Sequence, residues 1–141
     1  MTKRRDLWKS AAAAALAPFA TPLPMAAAAG LPSVTLDPQK AKLQREPFGD
    51  LRIYFDGPTD QIKSMTAGSL LLKAGMTPHP PHTHPEEEFM VITEGAGEIS
   101  MDGKITKVAP GSMMYCAGNR LHGIVNTGKT PLLFYFYKWQ K

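Results

Sequence analysis

The chain has a single cysteine, Cys116, among its 141 residues. One cysteine excludes an internal disulfide and a zinc finger built on cysteine ligands. Cys116 ends the apolar run Met113–Cys116. We therefore predict that it is a small buried residue of a strand rather than a reactive thiol.

Basic charge is also scarce once the first nine residues are set aside. The formal net charge is +4, from 16 basic and 12 acidic residues, but four of the basic residues and one acid stand in those nine positions. The remaining 12 basic and 11 acidic residues give a net charge of +1 and form no cluster of lysine and arginine. We therefore expect no nucleic-acid partner.

Long apolar runs are missing as well. The run Ala11–Ala20 is too short to span a bilayer as a permanent anchor. It follows the basic segment Lys3–Lys9 and precedes the small-residue run Ala26–Ala29, while three prolines within residues 18–24 argue against a continuous helix. This order predicts an export signal peptide over residues 1–29.

The segment Lys3–Lys9 resembles the bacterial twin-arginine export motif: two arginines, one free position, two apolar residues and a lysine. The resemblance implies a periplasmic or secreted protein that crosses the membrane already folded. No stable membrane span is expected after cleavage. A general secretory signal with two arginines by chance is the alternative.

Helical periodicity is absent after Gly30, and turn signals recur roughly every 6–10 residues. Asp102-Gly103, between two alternating segments, predicts a two-residue β-hairpin. We predict an all-β sandwich or barrel, with an N-terminal arm at residues 30–50 and one domain at residues 51–141. The predicted strands are Leu51–Phe55, Ser69–Lys73, His82–His84, Glu88–Thr93, Glu98–Met101, Lys104–Val108, Ser112–Cys116, Leu121–Asn126 and Leu132–Trp139.

The most distinctive side chains are His82, His84 and Glu88, at the spacing H-x-H-x3-E. Because residues i and i+2 of a strand point to the same face, the two imidazoles can be directed at one point. Two imidazoles and a carboxylate on adjacent strands make up most of a divalent-metal shell. The spacing therefore predicts a metal site.

This stretch resembles the first motif of the cupins, G-x5-H-x-H-x3,4-E-x6-G. His82, His84, Glu88 and Gly95 match it without a gap, whereas Gly75 stands one residue too early.

The second cupin motif, G-x5-P-x-G-x2-H-x3-N, is matched at Gly111, His122 and Asn126. Ala117 replaces its proline and Asn119 its second glycine. Asparagine tolerates the left-handed conformation, so the turn at position 119 can survive. The resemblance covers roughly Ser69 to Tyr137.

The resemblance implies a double-stranded β-helix, the jelly-roll barrel of the cupins, with one divalent metal ion per chain. It makes His122 the fourth ligand beside His82, His84 and Glu88. Such a shell leaves two positions of an octahedral ion open for water, dioxygen or a carboxylate-type ligand. Manganese or iron is favoured because loading before export avoids competition from copper and zinc. Zinc, nickel and copper remain alternatives.

Other side chains receive simpler interpretations. We interpret His79 as a loop residue, Glu86 and Glu87 as a solvated acidic turn, and Asn126 as structural. Candidates for a general acid or base are Tyr115, Glu98 and Tyr135, and the sequence leaves open which of them face the pocket. Core or pocket-wall candidates are Met90, Ile92, Met113, Met114, Phe134 and Phe136.

Two functions are favoured at this point over a purely structural or assembly role. The first is a metal-dependent dioxygenase, decarboxylase or lyase that acts on a small carboxylate or phenolic compound. The second is a non-catalytic periplasmic module that binds a metal or a small ligand. The aromatic final strand and the N-terminal arm favour a homodimer in either case.

Overall fold

The computed structural model describes residues 29–141, so the predicted export signal lies outside the described residues except for its last position. The described part contains nine strands and no helix, and hence no helix suited to crossing a membrane. The strands are β1 (Lys42–Glu46), β2 (Gly49–Gly57), β3 (Ser64–Leu72), β4 (Glu87–Glu94), β5 (Gly97–Met101), β6 (Lys104–Val108), β7 (Met113–Cys116), β8 (His122–Val125) and β9 (Leu132–Gln140).

The strands form two antiparallel sheets that share one core. The larger sheet has the order β1-β2-β3-β9-β4-β7, and the smaller has the order β6-β5-β8. Buried residues from both sheets, such as Leu72, Ile92, Leu132 and Ile124, belong to a single hydrophobic cluster. Full burial of each such side chain contributes roughly 1.5–3 kcal/mol to stability. This architecture confirms the all-β, jelly-roll barrel prediction.

Two turns follow the predicted chemistry. Met101 faces Lys104 across the β5–β6 hairpin, and both intervening residues, Asp102 and Gly103, have positive φ angles of 48° and 83°. Positive φ at both central positions is the type I′ geometry that matches strand twist. Asn119 has φ 63°, so it takes the left-handed conformation in place of the glycine of the motif.

Two segments differ from the predicted strands. The segment at residues 30–50, predicted as an arm, contributes β1 and the first two residues of β2 to the larger sheet. The predicted strand His82–His84 is wrong, because His82 forms only an isolated bridge with His122. Four prolines in residues 78–85 remove the N–H donors that a continuous ladder needs.

Asn126 ties the end of β8 to its surroundings. Its side chain is fully buried, and its amide nitrogen donates to the carbonyl oxygens of Leu72 and Thr130, at 3.0 and 2.9 Å. Its Oδ1 accepts from the N–H of Gly128 at 2.9 Å. The side chain thus satisfies three backbone groups, which supports the structural interpretation of this residue.

We expect Asn126→Ala to lower the free energy of unfolding by about 2–4 kcal/mol, because it leaves three backbone groups without their partner. Urea denaturation followed by far-ultraviolet circular dichroism measures the change. Thr127→Ala, at the exposed neighbouring position, is the matched control. A loss no larger than that of the control would contradict the structural role.

Candidate metal centre

The loop that carries the histidines, residues 73–86, runs beside β8 and is held to it by backbone hydrogen bonds. The N–H of Gly75 donates to Asn126 O, and the N–H of Asn126 donates to Met76 O, both at 2.9 Å. Farther along, His82 N–H donates to His122 O at 2.9 Å, and His122 N–H donates to His82 O at 3.0 Å. This reciprocal pair places two candidate ligands side by side although they are 40 residues apart in the chain.

A further backbone contact positions His84. The N–H of Asn119 donates to the His84 carbonyl oxygen at 2.7 Å. The Asn119 turn immediately precedes β8, so the same turn that leads to His122 also holds the backbone of His84. The two sequence motifs are thereby joined at the site.

The structure brings all four predicted ligands together. One ligand nitrogen from each of His82, His84 and His122 lies within 4.8 Å of the others. Glu88, on the inward face of β4, places Oε2 at 3.0 Å from Nε2 of both His84 and His122. Glu88 and His122 are nearly inaccessible, with 6% and 3% of their surface exposed.

Hydrogen bonds on the far side of two rings determine which nitrogen faces the centre. His84 Nδ1 donates to the carbonyl oxygen of Glu86 at 3.1 Å, and His122 Nδ1 donates to that of Arg120 at 2.9 Å. In the neutral ring Nδ1 therefore carries the proton, and Nε2 presents a lone pair to Glu88. Lone pairs and a carboxylate that converge on one point require positive charge there, as protons or as a cation.

His82 adds a second sign of a cation site. Its Nδ1 is buried and has no hydrogen-bond partner among the described residues. A buried polar atom without a partner is costly, and it is rare in native proteins. The donor set of three imidazoles and one carboxylate, with two rings oriented by carbonyl groups, fits a divalent transition metal.

The pKa shifts follow from these contacts. Burial raises the pKa of Glu88, but its hydrogen bonds and charge interactions with His122 and His84 outweigh burial, and the net shift is downward. The hydrogen bond to Glu88 raises the pKa of His122, despite burial and the nearby charge of Lys138. Burial and the neighbouring histidines lower the pKa of His82.

The four predicted ligands line a cavity of about 190 Å³. Its wall is mainly apolar and includes the predicted Met90, Phe134 and Phe136. Among residues 29–141, the titratable groups that line it besides the candidate ligands are His79 and Lys138. His79 packs edge-on against His82 with ring centroids 4.0 Å apart.

The sequence interpretation missed Lys138. Lys138 follows Leu132, Phe134 and Phe136 at the two-residue period of a strand, so it faces inward once Phe134 and Phe136 are known to do so.

The predicted acid and base candidates do not line this cavity. Tyr115 is 48% exposed on the outer face of β7 and donates to Glu87 Oε1 at 2.7 Å. Tyr135 lies near Tyr54 on the outer face of the larger sheet, and Glu98 lines a groove beside β5. The structure thus resolves the strand phase that the sequence leaves open, and none of these three candidates lies at the cavity.

Three other interpretations are also decided by the structure. Cys116 is buried in β7, as predicted, and burial raises the pKa of its thiol. Met113, a predicted core candidate, is instead 68% exposed, whereas Met114 and Ile92 are in the core. Glu86 is not simply solvated, because its carboxylate lies 3.3 Å from His84 Nδ1.

Comparison with known proteins agrees with the fold. Residues 69–137 match the family model described as the cupin domain. No curated protein matches the chain in sequence.

Solved structures resemble it at low sequence identity. KdgF from Halomonas sp. is 19% identical, with 73% of this chain and 90% of that chain covered and a TM-score of 0.60. The polyketide cyclase RemF from Streptomyces resistomycificus is 19% identical, with coverage of 77% and 80% and a TM-score of 0.62. The Cupin_2 domain of an XRE family transcriptional regulator from Enterobacter cloacae is 22% identical, with coverage of 62% and 92% and a TM-score of 0.54.

We expect metal affinity to fall as the pH falls, because imidazole ligands must lose their protons to bind a metal. Protonation of His122, whose pKa is raised above 6.5, should compete with metal binding first as the pH falls. Protonation of His82, whose pKa is lowered, should compete only at lower pH. Calorimetric titration with Zn²⁺ between pH 8 and pH 5, in two buffers of different ionisation enthalpy, measures both affinity and proton release. An affinity that is constant over this range would contradict the assignment of the histidines as ligands.

Proposed function

We propose that this chain, whose residues 69–137 match the family model of the cupin domain, is an exported metal-dependent enzyme that acts on a small carboxylate or phenolic compound. The observation that carries the proposal is the convergence of His82, His84, Glu88 and His122 at one end of a small apolar cavity. A reaction of the dioxygenase, decarboxylase or lyase type fits such a site.

Each residue of the site has a distinct part in this proposal. The three histidines and Glu88 hold one divalent ion, with manganese or iron favoured over zinc, nickel or copper. The bound ion supplies a Lewis acid with open positions for ligand atoms. The apolar wall limits water at the centre, and the lower local dielectric strengthens electrostatic interactions with the ligand.

A non-catalytic binding module is the second candidate, and one observation favours it. Apart from the candidate ligands, His79 and Lys138 are the only titratable groups that line the cavity among the described residues. An enzyme that transfers protons needs a positioned acid or base, and this cavity offers only those two. A periplasmic binder of metal or small ligand would need neither.

The decisive measurement is metal analysis of protein exported natively and purified without refolding. We expect about one divalent ion per chain in the wild type and a loss of at least tenfold in metal affinity for His122→Ala. His79→Ala, which alters a neighbouring histidine outside the predicted ligand set, is the matched control and should retain the ion. Wild-type protein without metal would remove the basis of the proposal.

The export proposal is tested with the same protein. Its support is the segment Lys3–Lys9, in which Arg4 and Arg5 stand at the paired-arginine positions. Replacing both by lysine should leave the protein in the cytoplasm with its signal uncleaved. Unchanged export of this variant would instead identify a general secretory signal.

Turnover separates the two candidate functions. The metal-loaded protein is incubated with small carboxylates and catechol-like phenols, and products are followed by mass spectrometry. Product formation that His122→Ala abolishes supports the enzyme. A ligand-induced rise in melting temperature without any product supports the binding module.

We also propose that the chain forms a homodimer through the outer face of β9, β4 and β7. This face carries four substantially exposed side chains, those of Phe89, Tyr115, Tyr137 and Met113. The ring of Phe89 stacks on that of Trp139, with the ring centroids 5.6 Å apart. The outer face of an antiparallel sheet is normally polar, so an aromatic face favours a covering partner. The net charge of +1 beyond residue 9 opposes the approach of a second copy only weakly.

We expect sedimentation equilibrium to show a dimer that Tyr137→Lys converts to a monomer, because the substitution places a charge in the covered face. Ile105→Lys is the matched control, since Ile105 is exposed on β6 of the other sheet. A wild-type protein that sediments as a monomer up to high micromolar concentration would overturn this part of the proposal.

A further inference from the structure

Lys138 occupies an unusual position for a charged residue. Inward-facing positions along β9 alternate as Leu132, Phe134, Phe136 and Lys138, and the last three of these line the cavity. β9 lies between β3 and β4, where Lys138 is opposite Thr66 on one side and Glu88 on the other. A lysine can protect the edge of a sheet from unwanted pairing, but β9 is a central strand, so that explanation does not apply here.

The ammonium group of Lys138 has no ionic partner in the described part of the chain. The ion pairs of residues 29–141 involve the basic residues Lys40, Arg120, His84 and His122, but not Lys138. Glu88, the carboxylate opposite it in the sheet, is already engaged by His84 and His122. A half-buried cation beside an apolar wall is unfavourable unless something pairs with it.

We propose that Lys138 selects the ligand of this cavity by pairing with a carboxylate group of a small organic acid. The inference rests on the proposed function, and it narrows the ligand class from carboxylates or phenols to carboxylates. A neutral phenol would leave the ammonium group unpaired in the cavity, which is an energetic penalty against that class. A charge-assisted hydrogen bond to a carboxylate removes the penalty.

The volume and the lining of the cavity agree with an acid that has a compact apolar body. Leu51, Leu70, Met90, Phe134 and Phe136 form much of the wall around about 190 Å³. The candidate metal ligands and Lys138 line the same cavity, so one ligand can contact both. The carboxylate then binds at the polar end, and the hydrocarbon part packs against the wall.

The test compares Lys138→Met with the wild type, since methionine keeps an unbranched apolar stem without the charge. Calorimetric titrations use benzoate, pyruvate and oxalate as probes, with benzamide as the neutral counterpart of benzoate. We expect at least one carboxylate to bind the wild type more tightly than benzamide, and Lys138→Met to weaken its binding by about tenfold or more. Lys138→Arg should retain most of the affinity.

Controls separate this inference from the proposed function. Lys107→Met removes an exposed lysine of β6 and should leave carboxylate binding unchanged. Metal content is measured on every sample, so that loss of metal is not mistaken for loss of the lysine contact. If Lys138→Met keeps its metal and binds the carboxylates as tightly as the wild type, or if no carboxylate binds the metal-loaded wild type, the inference is overturned. Absence of metal from the wild type counts against the proposed function instead.

Discussion

The candidate site depends on one pair of backbone hydrogen bonds, those that His82 and His122 exchange. The loop at residues 73–86 contains too many prolines to join the smaller sheet as a regular strand. Its attachment therefore comes from a few separate contacts along β8, of which this pair is the one at the site. The pair sets the distance between His82 and His122. The hydrogen bond from the Asn119 turn then holds His84 beside these two histidines. The backbone thus positions three imidazoles before any metal ion is considered.

Glu88 adds a negative charge to the histidines that the backbone hydrogen bonds position. One carboxylate oxygen contacts two imidazoles whose opposite nitrogens are tied to carbonyl groups, so both rings are fixed in orientation. Because a carboxylate and imidazole lone pairs converge there, the group as a whole favours a positive charge at its centre, and the low dielectric of the buried site strengthens this attraction. Lys138 lines the same cavity and adds a positively charged side chain to it. We therefore propose a ligand that brings negative charge with it.

The candidate side chains that do not reach the core or the cavity share a physical cause. Tyr115, Tyr135 and Met113 were correctly placed in strands, but they occupy outward-facing positions. In a strand, an error of one residue in phase moves every side chain to the opposite face. Composition does not resolve the phase here, because the outer face of β9, β4 and β7 is itself aromatic. Lys138 was overlooked for the same reason: its inward orientation follows only once Phe134 and Phe136 are known to face the cavity.

The sequence by itself determined the all-β class, the Asp102-Gly103 hairpin and three of the residues that converge, His82, His84 and Glu88, since turn chemistry and the H-x-H-x3-E spacing are local properties. Only the tertiary structure decided which faces of the strands are buried, how β1 joins the larger sheet, and that Lys138 shares a cavity with the histidines. These features arise from hydrogen bonds and packing between segments distant in the chain. Local patterns carry no information about which distant partner a segment meets. The candidate metal ligands illustrate both the local and the tertiary contribution. The spacing predicts His82, His84 and Glu88, whereas the hydrogen bonds between the 73–86 loop and β8 bring His122 to them.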